Sequence, residues 1–139
     1  MVRLSEAQAG RQAARLAGVR ADLRAAYAAA LLAWLGKPEL TRLGRPIVTE
    51  GYRSPAAQDA LYEQGRTKPG PVVTYKRGGE SKHNLVPARA LDVAFLLANG
   101  QVSWSAELLA RFAALMKRAP GVRWGGDWPG FRDRPHFEV

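Results

Sequence analysis

Apolar positions in the first third of the chain recur at three- and four-residue steps, at Leu16, Val19, Leu23, Tyr27, Leu31 and Trp34. That spacing lays a single stripe along an amphipathic helix. Ser5 and Gln8 form a capping-box pair at its start, and Gly36-Lys37-Pro38 stops it, so a helical segment is expected over about residues 5–36. The pattern then changes period. Residues 45–49 suit a strand, and Ser54-Pro55 puts a capping residue before a proline at the first helical position, opening a helix to about Gln64. Residues 65–81 are rich in Gly, Pro and Lys and read as a long loop, a length often tied to function in a compact domain. Residues 90–97 are apolar apart from Asp92 and read as a central strand, with Asn99-Gly100 turning the chain back into residues 101–104. Ser105 caps a further helix to about Arg118, ended by Pro120-Gly121, and residues 122–124 and 136–138 supply short strands around a Gly-rich loop. Helices segregated from hairpin-like strands predict an α+β fold, a single domain over residues 1–139 with a small, mainly antiparallel sheet flanked by helices.

Composition narrows the class. A chain of 139 residues with 47% hydrophobic content supports one core, and a monomer is expected. No apolar run approaches the roughly 20 residues that cross a bilayer. Met1-Val2-Arg3-Leu4-Ser5-Glu6 lacks the charged-then-apolar order of a signal peptide. Synthesis in the cytoplasm is therefore expected, with any action outside it following release. There is no cysteine, so a metal would be held by nitrogen and oxygen. The net charge of +9, from 21 Lys and Arg against 12 Asp and Glu, attracts polyanions such as nucleic acid, anionic lipid or cell wall. The basic residues are spread without a dense tract or interleaved aromatics, which argues against specific nucleic-acid recognition.

The chemistry concentrates around two histidines. Asp92 is an odd resident of an apolar strand, because a buried carboxylate needs a metal, an arginine or hydrogen-bond donors beside it. His83 lies shortly before that strand, and His136 sits near the C-terminus, three residues after Asp133. Two imidazoles and a carboxylate form a three-ligand set for catalytic zinc, leaving one position open to water. Zinc brings the pKa of such water to about 7, and a nearby carboxylate can take its proton and return it to a leaving amine. One zinc ion on His83, Asp92 and His136, with Asp133 as acid/base, follows as the expectation, and with it a metal-dependent hydrolase. Two other assignments of Asp133 stay open: it ligates the ion while Asp92 pairs with an arginine, or it only fixes the turn. Pro135 biases Arg134 toward an extended conformation, so Asp133 and His136 can share a cleft only through a bend at Arg132-Asp133.

Ser81-Lys82-His83, Asp92 and Asp133-Arg134-Pro135-His136-Phe137 resemble the zinc-binding signature of peptidoglycan peptidases related to D-alanyl-D-alanine carboxypeptidases. The likeness is greatest to the L-alanyl-D-glutamate endopeptidase branch common among bacteriophage endolysins. Gly51-Tyr52-Arg53-Ser54-Pro55, Gln58-Asp59-Ala60-Leu61-Tyr62 and Trp124-Gly125-Gly126-Asp127-Trp128 agree with it, so the resemblance covers a catalytic core of about residues 46–139. It implies zinc on His83, Asp92 and His136, Asp133 as catalytic acid/base, Arg53 stabilising a substrate carboxylate or the developing oxyanion, and Ser81 as polar support for substrate. It also implies cleavage of the L-Ala–D-Glu bond of stem peptides during cell-wall lysis. A D-Ala–D-Ala carboxypeptidase and a noncatalytic zinc-stabilised binding module are the alternatives. Residues 84–91 fill a gap that is usually about two residues shorter, a departure that bears on substrate preference. The basic surface offers nonspecific attraction to anionic envelope polymers.

Overall fold

The computed structural model describes residues 1–139, and β2 (Ala90–Leu96) is the strand on which everything else is assembled. It pairs antiparallel with β1 (Arg45–Glu50) on one side, with β5 (His136–Glu138) on the other, and with the short β3 (Val102–Ser103). β4 (Arg123–Trp124) extends the sheet beyond β5, giving the order β1-β2-β5-β4 with β3 on β2. The α+β class and the mainly antiparallel sheet agree with the reading of the sequence.

Leu91, Val93 and Phe95 of β2 enter the main core, where they meet Leu23, Tyr27 and Trp34 of α2 (Ala21–Leu35) and Leu109, Phe112 and Met116 of α5 (Ala106–Met116). Strand side chains alternate, so Asp92 is delivered to the opposite face. The two helices cover one side of the sheet and leave the other for chemistry. Trp34 is fully buried at the centre, 5.1 Å from Phe95 and 6.0 Å from Phe112 between ring centroids, and its Nε1–H donates to the Gly44 carbonyl at 3.0 Å. Trp34→Ala removes the aromatic contacts and leaves that carbonyl unpaired. An expected loss of about 3–5 kcal/mol in urea unfolding follows, and a loss under about 1 kcal/mol would show that Trp34 is not the centre of this core.

The single long N-terminal helix expected from the stripe is two helices, α1 (Glu6–Ala17) and α2. The chain leaves the helix at Gly18 because it pairs with a neighbour: Ala88 N–H donates to Gly18 O at 2.9 Å, and Arg20 N–H donates to Ala88 O at 2.8 Å. Val19 and Leu23 nonetheless both reach the core, so the stripe survives the break. The Ser5–Gln8 capping box is formed. α1 also closes the free edge of β1, since the Gln12 side-chain amide exchanges two hydrogen bonds with the Val48 backbone, at 2.8 and 2.7 Å. A short helix α3 (Pro38–Thr41) follows Gly36, where the sequence reads only as a stop. The Ser54 cap with Pro55 opens α4 (Pro55–Glu63).

Candidate metal centre

The sheet register assembles a row of titratable groups: Glu50 of β1, Asp92 of β2 and His136 of β5 are direct partners across the three strands. His136 and Glu138 lie two residues apart on β5, so both face the cleft side while Phe137 enters the core. His83 arrives from a one-turn 3-10 helix over Lys82–Asn84, built by its own side chains. Ser81 Oγ accepts from His83 N–H at 3.2 Å, and Asn84 Oδ1 accepts from Ser81 N–H at 3.2 Å. The turn is tied to the segment before α4 by Arg53 N–H donating to His83 O at 2.8 Å and Asn84 Nδ2 donating to Arg53 O at 2.9 Å.

The three side chains converge. His83 Nε2 is 3.2 Å and His136 Nδ1 is 3.4 Å from the same oxygen, Oδ1 of Asp92, and one ligand atom from each residue lies within 4.8 Å of the other two. The other ring nitrogens are both engaged. His83 Nδ1 lies 2.7 Å from the Gly51 carbonyl, which can only accept, so that nitrogen carries the proton and Nε2 presents its lone pair to the cleft. His136 Nε2 lies 2.8 Å from Glu138 Oε1, which turns Nδ1 inward in the same way. Lys82 Nζ anchors Glu138 from behind at 2.9 Å. Outer partners of this kind fix the orientation and tautomer of metal-binding imidazoles.

Electrostatics favour a cation here. Burial opposes a charge on His136, but its bonds to Asp92 and Glu138, with the charges of Asp92 and Asp133, outweigh this and raise its pKa to about 9. Burial likewise works against the Asp92 carboxylate, yet both imidazoles hold its pKa well below the ordinary range. The donor set, two neutral-capable nitrogens and a carboxylate with preset tautomers, fits a divalent ion of the zinc type.

Asp133 approaches from the loop before β5, its Oδ2 3.9 Å from His136 Nδ1. The bend that Pro135 made necessary is present: His136 N–H donates to Asp133 O at 3.1 Å, and Asp133 N–H donates to Gly125 O at 3.0 Å. A Cβ on Gly125 would collide with the Asp133 carbonyl, so only glycine lets the two segments meet there. Burial, and then the charge of Asp92, push the Asp133 pKa above the carboxylate norm. Arg53 lies beside the cluster, with Nε 2.7 Å from Glu50, Nη1 2.8 Å from Gln58 and Nη2 3.6 Å from Asp92 Oδ2. His83, Asp92, His136, Asp133, Arg53 and Glu50, with Ser81, line one cleft of about 610 Å³ whose walls include Trp104, Trp128 and Phe131.

Glu138, Gly51 and Gln58 are the partners that sequence reasoning passed over. The His-x-Glu spacing on a strand was a usable signal for Glu138, because residues two apart share a face. A carbonyl such as that of Gly51 leaves no such trace. At Gly51 a Cβ would collide with the Arg15 carbonyl and stand 2.8 Å from Val19 Cγ2. Gly51→Ala must therefore displace the carbonyl that orients His83. We expect metal affinity to fall by about 10–100-fold in a competition titration, and unchanged affinity would remove Gly51 from the metal's support.

Residues 74–139 match the peptidase family described as D-alanyl-D-alanine carboxypeptidase. Over 101 residues the chain is 42% identical to the peptidoglycan L-alanyl-D-glutamate endopeptidase CwlK of Bacillus subtilis, covering 67% of this chain and 59% of that protein. Over 85 residues it is 36% identical to the L-alanyl-D-glutamate peptidase of Listeria phage A118, covering 56% of this chain and 29% of that protein. The chain thus spans less than two thirds of the length of either relative. The crystal structure of the L-Ala D-Glu endopeptidase ChiX of Serratia marcescens superposes with a TM-score of 0.66 at 29% identity, covering 93% of this chain and 86% of that one. The chain is thus similar, over residues 74–139, to peptidases described as D-alanyl-D-alanine carboxypeptidase, and over a longer stretch to proteins named L-alanyl-D-glutamate endopeptidases.

Proposed function

We propose that this chain is a zinc-dependent peptidoglycan endopeptidase that cleaves the L-Ala–D-Glu bond of stem peptides. The observation that carries the reading is the convergence of His83 Nε2, His136 Nδ1 and Asp92 Oδ1 in a cleft that also holds Asp133. The names and activities of the relatives support the choice of bond. One zinc ion is proposed as the metal, held by His83, Asp92 and His136. When bound, zinc supplies Lewis acidity, acidifying water and polarising a carbonyl.

The protein's own groups then have separate tasks. Asp133 takes a proton from the attacking water and passes it to the leaving nitrogen, so the C–N bond breaks to give a carboxylic acid and an amine, and the acid's remaining proton then moves to the amine to leave carboxylate and ammonium. A carboxylate within reach of the water and the leaving nitrogen serves as the general acid/base. Arg53 is held against the cluster by Glu50 and Gln58, and its Nη2 side stabilises the negative charge that develops on the carbonyl oxygen. Ser81 Oγ already accepts from His83 N–H, which leaves its hydroxyl hydrogen to donate to substrate.

The phage relative supports a role in bacteriolysis, with the cell wall as the place of action and the basic surface aiding retention on anionic envelope polymers. No helix is long and apolar enough to cross a membrane. Mass spectrometry of digested muropeptides tests the bond assignment. New N-terminal D-Glu is the expected product, whereas loss of terminal D-Ala would make the protein a carboxypeptidase. An intact digest from zinc-loaded protein would leave only a binding module.

A further inference from the structure

We propose that Lys76 is a specificity-determining residue that receives the carboxylate of the amino acid on the leaving side of the scissile bond; this rests on the L-Ala–D-Glu reading above. In that bond D-Glu is linked through its nitrogen, and its free α-carboxylate sits on the carbon attached to that nitrogen. The enzyme must therefore hold an anion next to the reacting atoms. Its cleft is lined by the carboxylates of Glu50, Asp92 and Asp133; Glu50 is paired with Arg53 and Asp92 faces the proposed zinc, so Asp133 is the carboxylate left to repel such a group.

Two cationic residues besides the histidines line the cleft, Arg53 and the exposed Lys76. Arg53 is held by Glu50 at 2.7 Å and Gln58 at 2.8 Å, and its Nη2 side, 3.6 Å from Asp92, is the edge assigned above to the developing oxyanion. The Lys76 ammonium takes part in no ion pair and no hydrogen bond. It is the free cation of the cleft.

Lys76 stands in the long loop before Ser81, yet its backbone is fixed. Its N–H donates to Thr74 Oγ1 at 3.1 Å, and its carbonyl accepts from Gln58 Nε2 at 2.8 Å. Gln58 is wholly buried, donates to Thr74 Oγ1 at 3.3 Å, and accepts from Arg53 Nη1. One buried amide therefore ties the loop to the arginine that flanks the metal ligands. Tyr75 adds a second brace by meeting Phe131 edge-on across the cleft, with centroids 5.1 Å apart. A lysine whose backbone is pinned loses less freedom on binding an anion than one on a mobile loop.

The test compares two synthetic stem peptides that differ at one group, the D-Glu α-carboxylate or its neutral α-carboxamide. Zinc-loaded wild type, Lys76→Gln and Lys76→Glu are assayed on both for kcat/KM. Wild type is expected to favour the carboxylate by roughly five- to tenfold, in line with a partly exposed, charge-assisted contact, with the preference shrinking as salt is added. In Lys76→Gln the ratio collapses toward unity, and in Lys76→Glu it inverts. A structural effect would slow both peptides equally and leave the ratio intact. Equal rates on both peptides with wild type, or a wild-type ratio in Lys76→Gln, overturns the assignment while the bond reading stands. Cleavage of neither peptide by wild type sinks the bond reading and the Lys76 role with it.

Discussion

Asp133→Asn is expected to bind one zinc ion as wild type does and to hydrolyse stem peptides about 10²–10⁴-fold more slowly. The separation of effects follows from geometry. Asp133 stands 3.9 Å from His136 Nδ1, outside the triad whose ligand atoms share Asp92 as their centre. The amide keeps the size of the carboxylate, so the bend held by Gly125 O is undisturbed. What is lost is a group that can accept a proton, in a place where burial and the Asp92 charge hold its affinity for one above the usual range. Zinc quantification beside a muropeptide assay reads both halves. Full turnover in Asp133→Asn would remove this residue from the chemistry, and loss of zinc would make it a ligand, the assignment that its sequence position also allowed.

The histidines behave differently. His83→Ala and His136→Ala each remove one of three donors and leave a site too poor to retain zinc through dialysis, so metal content and hydrolysis disappear together. The fold is expected to persist, because His83, though buried, sits in a 3-10 turn outside the α2–α5 core, and His136 projects from the sheet face opposite that core. Far-ultraviolet circular dichroism and elution volume should match those of chelated wild type. Zinc retained at full stoichiometry in either variant would mean that the ion sits elsewhere. Taken together, the three substitutions distinguish a proton-transfer group from the ligands, which activity measurements alone cannot do.

How far these features could be read from the sequence depends on the distance over which each is determined. The caps at Ser5, Ser54 and Ser105 and the alternation along β2 are local, and the structure forms them where the sequence marks them. The break at Gly18 is not local: it exists because Ala88, far along the chain, offers backbone groups to residues 18 and 20. Periodicity cannot report such a partner, so one stripe predicts one helix. The candidate ligands drew notice because a lone acid in an apolar strand and two scarce histidines are chemically conspicuous. Their tautomers were beyond reach, since they depend on a backbone carbonyl at Gly51 and on the strand neighbour Glu138. Arg53 was identifiable as a candidate, but its engagement by Glu50 and Gln58 emerged only once α4 had been placed against the loop.

The most direct test is an anomalous difference map, recorded at the zinc edge, from a crystal grown with one equivalent of zinc. One peak should appear within about 2.0–2.2 Å of His83 Nε2, His136 Nδ1 and an Asp92 oxygen. A map empty between those atoms, or a peak held by other residues, would contradict the account.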